Sequence, residues 1–193
     1  MARRKYEFRP DKVKTDFLGK LYLTPQQRKR LLRWLLFILL LVAASVVQDV
    51  VLCRMDIFGA ATDLVPLTIL LICVQVGADR GAVFSLIAAM LYKFSGSAPG
   101  YYSMALIPVL AILAAMLRQS YFRRSFSSVF LCVTAAIVVY EMSILLCGMI
   151  FMNTTAQRAL RFLITGLLSA AVCPVLYPIA KAIDNIGEKS WTD

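Results

Sequence analysis

The chain predicts an all-α polytopic membrane fold, and three observations carry that expectation. Sixty per cent of the 193 residues are hydrophobic and 17% charged, with a mean hydropathy of +0.74, outside the range of soluble globular domains. The apolar residues gather into six runs divided by short polar breaks, and the charges sit mainly at the ends of those runs. Backbone inside a bilayer must satisfy its own polar groups, so such runs read as helices. Too little polar sequence is left over for a soluble domain. The expected organisation is a basic tail (1–23), a six-helix membrane domain (24–183) and a short C-terminal tail (184–193).

Residues 1–23 are charged and dotted with aromatics but show no periodicity, and they read as a flexible tail. Thr24, Pro25 and Gln27 form a helix start, with a capping hydroxyl, proline at the first helical position and the glutamine of a capping box. This helix continues through Arg28–Arg33 into a first span, Trp34 to Val51. The second and third runs, Leu64 to Ala78 and Gly81 to Phe94, are short. At 1.5 Å per residue each reaches about 20–23 Å against a hydrocarbon core of about 30 Å. They are expected to thin the bilayer, to extend with polar ends, or to form a shallow hairpin turning at Asp79-Arg80. Tyr101 to Leu117, Phe126 to Met152 and Ala159 to Ala182 supply the remaining spans. Pro174 and Pro178 are expected to kink the last of them.

The net charge of +10 suggests nucleic acid until it is located. Eleven of the 21 basic residues precede Trp34, and no nucleic-acid module accompanies them. Basic flanks of this kind hold a segment on the cytoplasmic side and attract anionic lipids. Six spans with the N-terminus inside put 17 basic residues on the inner side and four outside, which predicts an N-in, C-in protein. The five cysteines show no C-x-x-C spacing and read as packing residues rather than a zinc site or a disulfide framework. With no histidine, no phosphate loop and no G-x-S-x-G, neither an enzyme, a metal site nor a cofactor is expected.

Glu141 is the only formal charge in the run from Phe126 to Met152. A carboxylate at that depth costs at least about 2.5–3.5 kcal/mol, which marks it for a role. Counted from the inner ends of their spans, Asp49 and Glu141 lie about 22 Å up and Lys93 about 18 Å up. Asp49, Lys93 and Glu141 are therefore expected to form a polar cluster, with Lys93 paired to Glu141, to Asp49 or to both. No second buried carboxylate is expected beside Glu141, so a proton relay gives way to an organising polar contact. Gly77 and Gly81, Gly96 and Gly100, and Ala111 and Ala115 are each four apart. Such spacing lets helices approach closely, within the chain or against a partner, or serves turns in the case of the glycines.

From Asp63 to Met142 the chain resembles the MreD family of bacterial rod shape-determining membrane proteins. Ala61-Thr62-Asp63-Leu64 stands where the family has a Pro-Asp-Leu-like start, with the proline displaced to Pro66. Gly81-Ala82-Val83-Phe84-Ser85-Leu86 opens a glycine-led span that ends in Leu91-Tyr92-Lys93-Phe94-Ser95-Gly96 and Pro99-Gly100-Tyr101. A basic cluster follows, with Arg118, Arg123 and Arg124, and then the pair Tyr140-Glu141. Lys93 departs from the family, which often has an acid there. The resemblance implies a non-catalytic subunit of the wall-elongation complex in the bacterial cytoplasmic membrane. Its implied fold is that of the substrate-binding subunit of energy-coupling-factor importers. Its implied partners are the single-span MreC and, through it, the actin-like MreB, with RodA and a class B penicillin-binding protein. The small-residue pairs and Arg118, Arg123 and Arg124 are the expected contacts. The competing expectation is a vitamin or small-molecule importer subunit, in which Asp49, Lys93 and Glu141 would line a ligand site.

Overall fold

The computed structural model describes residues 25–52, 62–121, 125–151 and 158–188, and these form six helices. They are α1 (Pro25–Val50), α2 (Leu64–Val76), α3 (Ala78–Phe94), α4 (Ser103–Tyr121), α5 (Phe126–Phe151) and α6 (Ala159–Glu188). Four of them, α1, α4, α5 and α6, are long and apolar enough to cross a bilayer, which makes this a multi-pass membrane protein. Thr24 and residues 1–23 and 189–193 lie outside the described residues. The last helix runs five residues beyond the expected boundary at 183.

The organising element is α2. Leu64 to Gln75 are all buried, and α2 packs against each of the other five helices. A helix that is apolar on every side belongs in an interior, and here the interior is the middle of the bundle. Its 13 residues, about 20 Å, need not match the bilayer because it does not face lipid. Of the expected alternatives, a bilayer thinned around α2 has no basis, since α2 meets other helices and not lipid, while the two short runs do form a hairpin. Hydropathy alone does not separate a helix bathed in lipid from one bathed in other helices.

The surrounding helices turn narrow stripes towards α2. On α1 the stripe is Arg33, Phe37, Leu41, Ala44 and Gln48, at intervals of three or four residues. On α5 it runs from Val129 through Cys132, Val133, Ala136, Ile137, Tyr140 and Glu141 to Ile144, Leu145 and Gly148. The outward faces are the more apolar ones, with Val83, Leu86, Ile87 and Leu91 exposed on α3. In lipid, small and polar side chains turn inward and large aliphatic ones remain outside.

The α2–α3 hairpin turns at Gly77 (φ 104°) and not at Asp79-Arg80, which are the second and third residues of α3. Asp79 there suits the positive end of the helix dipole. The two helices are close: a Cβ at Gly81 would lie 3.1 Å from the Cα of Cys73, whose Sγ donates to Gly81 O at 3.1 Å. Gly81 is thus a packing glycine, and Ala111 and Ala115 are fully buried packing residues of α4. Gly77 and Gly96 have positive φ and serve turns, while Gly100 lies in the connection before α4. At one end of the bundle Arg33 and Asp184 form an ion pair of 2.6 Å tying α1 to α6. Asp63, the N-cap residue of α2, lies towards the opposite end but recessed into the bundle.

Candidate functional site

Asp63 occupies an N-cap position, yet its side chain makes no capping bond. Instead its carboxyl is in hydrogen-bonding contact with that of Glu141. Neighbouring helices take over the local backbone. Gln48 of α1 accepts the Val65 N–H at 2.8 Å through Oε1, and Ser169 of α6 accepts the Asp63 N–H at 2.8 Å through Oγ. The start of α2 is thus capped by side chains from two other helices, which frees Asp63 to meet Glu141.

The depth of this junction follows from helix lengths. Glu141 is ten residues from the end of α5 and Ser169 ten from the start of α6, each about 15 Å into the bundle. The short central helix therefore begins well inside, and its first residue meets the mid-helix acid of α5. Gly166 lets α6 close over the pair, since a Cβ there would lie 3.4 Å from Glu141 Cγ and 3.4 Å from Val138 Cα. Tyr140 and Glu141 are both buried. Tyr140 Oη and Glu141 Oε1 have no hydrogen-bond partner among the described residues.

Two carboxyls in hydrogen-bonding contact need a proton between them, because an ionised carboxylate only accepts. The pair is therefore a proton-holding contact joining α2 to α5. Towards the same end of the bundle lies a cleft of about 420 Å³, with Gln48, Asp49, Thr62, Asp63, Ser95 and Ser97 in its wall. Tyr92 reaches this region, in contact with Gln48 and donating to Ser97 O at 3.3 Å. The arrangement can hold a proton and offer hydroxyl, amide and carboxylate groups to a polar molecule. Among the described residues no group of three metal-ligating side chains occurs.

No family model matches this chain, and no curated protein or solved structure is similar to it.

The expected cluster is rearranged. Glu141 lies in the core as expected, but its neighbour is Asp63 and not Lys93. Lys93 is half-buried, with Nζ 4.1 Å from the Tyr101 ring centroid, and no ion pair joins it to Asp49 or Glu141 among the described residues. Asp49 is exposed and accepts from Ser97 Oγ at 2.7 Å. The physical reason is direction. Asp49 follows Gln48, which faces inward, so a 100° step carries it off the buried face. Lys93 likewise follows the buried Tyr92 and reaches out to an aromatic ring instead. Equal depth along the membrane normal does not put side chains on facing surfaces. Arg118 is buried near the end of α4, whereas Arg123 and Arg124 lie outside the described residues.

Sequence reasoning named Asp63 only as the start of the resemblance, without a partner, and missed Gln48 and Ser169. Asp63 stood at the boundary of an apolar run, where an acid reads as a surface cap. Gln48 did leave a signal: it continues the buried α1 stripe at the four-residue interval, and a polar residue in such a stripe has a partner to find.

Proposed function

We propose that this chain is a non-catalytic membrane scaffold of the bacterial cell-elongation machinery, as its likeness to the MreD family implies. In this reading it lies in the cytoplasmic membrane with both termini inside, so the Arg33 end faces the cytosol and the Asp63 end faces outward. It holds MreC and so links cytosolic MreB filaments to peptidoglycan synthesis by RodA and a class B penicillin-binding protein.

The observation that supports the reading most is the meeting of Asp63 and Glu141. They belong to the first and last of the segments that carry the resemblance, 78 positions apart in the chain. Segments that seem unrelated along the sequence thus converge on one structural joint. A rigid bundle with a central buried helix also suits a scaffold, which must hold a partner at a fixed angle. An apolar groove of about 500 Å³ runs between α1 and α3, with Trp34, Leu41, Val83, Phe84, Ile87 and Leu91 in its walls. The reading gives this groove to the single span of MreC, because a groove in a lipid-facing surface fits an apolar helix. Ala111 and Ala115 are consumed inside the bundle and take no part in that contact.

A second reading, the substrate-binding subunit of a small-molecule importer, is favoured by the polar cleft beside Asp63. Depletion separates the two. In a rod-shaped host whose own scaffold is replaced by this chain, Glu141→Ala should round the cells and leave vitamin uptake unchanged. Rod shape retained with loss of uptake would favour the importer.

A further inference from the structure

A second polar pocket lies at the other end of the bundle. It has a volume of about 230 Å³ and is bordered by Gln75 of α2, Arg118 of α4, and Lys181, Asp184 and Asn185 of α6. Gln75 is the only side chain of α2 with an amide, and it is 91% buried, at 9% exposure. Neither its Oε1 nor its Nε2 has a hydrogen-bond partner among the described residues. A buried amide with both ends unmet is unfavourable and points to a group that completes it.

The charge around it has a sign. Arg118, Lys181 and one carboxylate, Asp184, border the pocket, and Asp184 is already paired at 2.6 Å with Arg33, which lies outside the lining. The surplus is positive and favours an anion. Lys181 is 22 residues along α6, about 33 Å from its start, which puts the pocket at headgroup depth. An amide adds a further requirement. Nε2 donates to an anion, but Oε1 needs a donor from the same ligand. At a liquid share of about 30 Å³ per water, the pocket has room for several such groups.

We propose that this pocket binds a phosphate group with an adjoining hydroxyl, the chemistry shared by an anionic glycerophospholipid headgroup and a soluble glycerol phosphate. The phosphate accepts from Gln75 Nε2 and Lys181, and Arg118 contributes positive charge at the wall. The hydroxyl donates to Gln75 Oε1. The proposal stands independently of the scaffold reading, since it concerns what the bundle binds and not what the bundle holds in the cell.

The test is native mass spectrometry of the delipidated full chain in detergent, titrated with phosphatidylglycerol or phosphatidylcholine. One phosphatidylglycerol should bind per chain, about tenfold tighter than phosphatidylcholine. Gln75→Leu and Lys181→Gln should each reduce that preference several-fold, while Lys93→Gln, which removes a charge at the far end, should not. Displacement by millimolar glycerol phosphate would assign the site to a soluble phosphate; resistance to it would assign the site to the lipid. Equal binding of the two lipids by the native chain would overturn the proposal. So would unchanged preference in both pocket variants when their thermal unfolding matches that of the native chain.

Discussion

At the scale of single residues, the energetics centre on a shared proton. Glu141→Ala leaves the half-buried Asp63 without its carboxyl partner, and the lost contact costs about 1–1.5 kcal/mol. Glu141→Gln retains a donor for Asp63 and should cost less than about 1 kcal/mol. Thermal unfolding in detergent micelles reads both. The double variant Asp63→Ala with Glu141→Ala should lose less than the sum of the single ones, because the second truncation removes the group the first one orphaned. Strict additivity would mean that the two carboxyls do not interact. The glycines make a separate contrast. Gly81→Ala drives a methyl to 3.1 Å from the Cys73 backbone, which must separate α2 from α3, at a cost of about 1–3 kcal/mol. Gly96→Ala meets nothing within 4 Å, and only its positive φ of 81° opposes it, at about 1 kcal/mol. What the sequence made legible at this scale was that Glu141 is buried and important. Its partner was hidden because an acid at a run boundary looks the same whether the boundary is at the surface or recessed into the bundle.

At the scale of elements, α2 carries the fold. Its residues leave no lipid-facing side, so truncation opens a cavity between helices. Hydrophobic transfer from lipid to protein contributes little, since both are apolar, and the loss is mainly one of packing. Leu71→Ala, at 0% exposure, should therefore cost about 2 kcal/mol, whereas Leu86→Ala on the lipid face of α3 should lie within about 0.5 kcal/mol. Equal effects at the two positions would contradict the central placement of α2. The boundaries of the apolar helices were legible to within a few residues, because periodic runs and polar breaks mark them. The role of the second run was not. Its shortness read as a mismatch with the bilayer, when the same shortness marks a helix that never meets it. The turn at Gly77 was misplaced for a related reason: the charges Asp79-Arg80 drew the break towards themselves, although an acid suits the first turn of a helix as well as it suits a loop.

At the scale of the whole molecule, the chain is a bundle with a proton-sharing joint near its middle, a polar cleft on one side of that joint and a cationic pocket at the far end. The asymmetry of charge predicts its orientation. A cysteine placed at Ser95 should react with an impermeant thiol reagent in intact cells, and one placed at Asn185 only after the membrane is opened; the reverse pattern would invert the topology. Composition and charge made the membrane class legible. The proposed function rests on the order of short segments, and no property of the helices alone distinguishes a scaffold from an importer. Expressing the full chain with the MreC, ATPase and transmembrane coupling subunits encoded in the same genome, and identifying what co-purifies, tests the central claim most directly. The account predicts a stoichiometric complex with MreC that forms a cross-link from a cysteine at Val83 or Ile87. A chain that leaves MreC behind and purifies with the ATPases and a bound small molecule would contradict it.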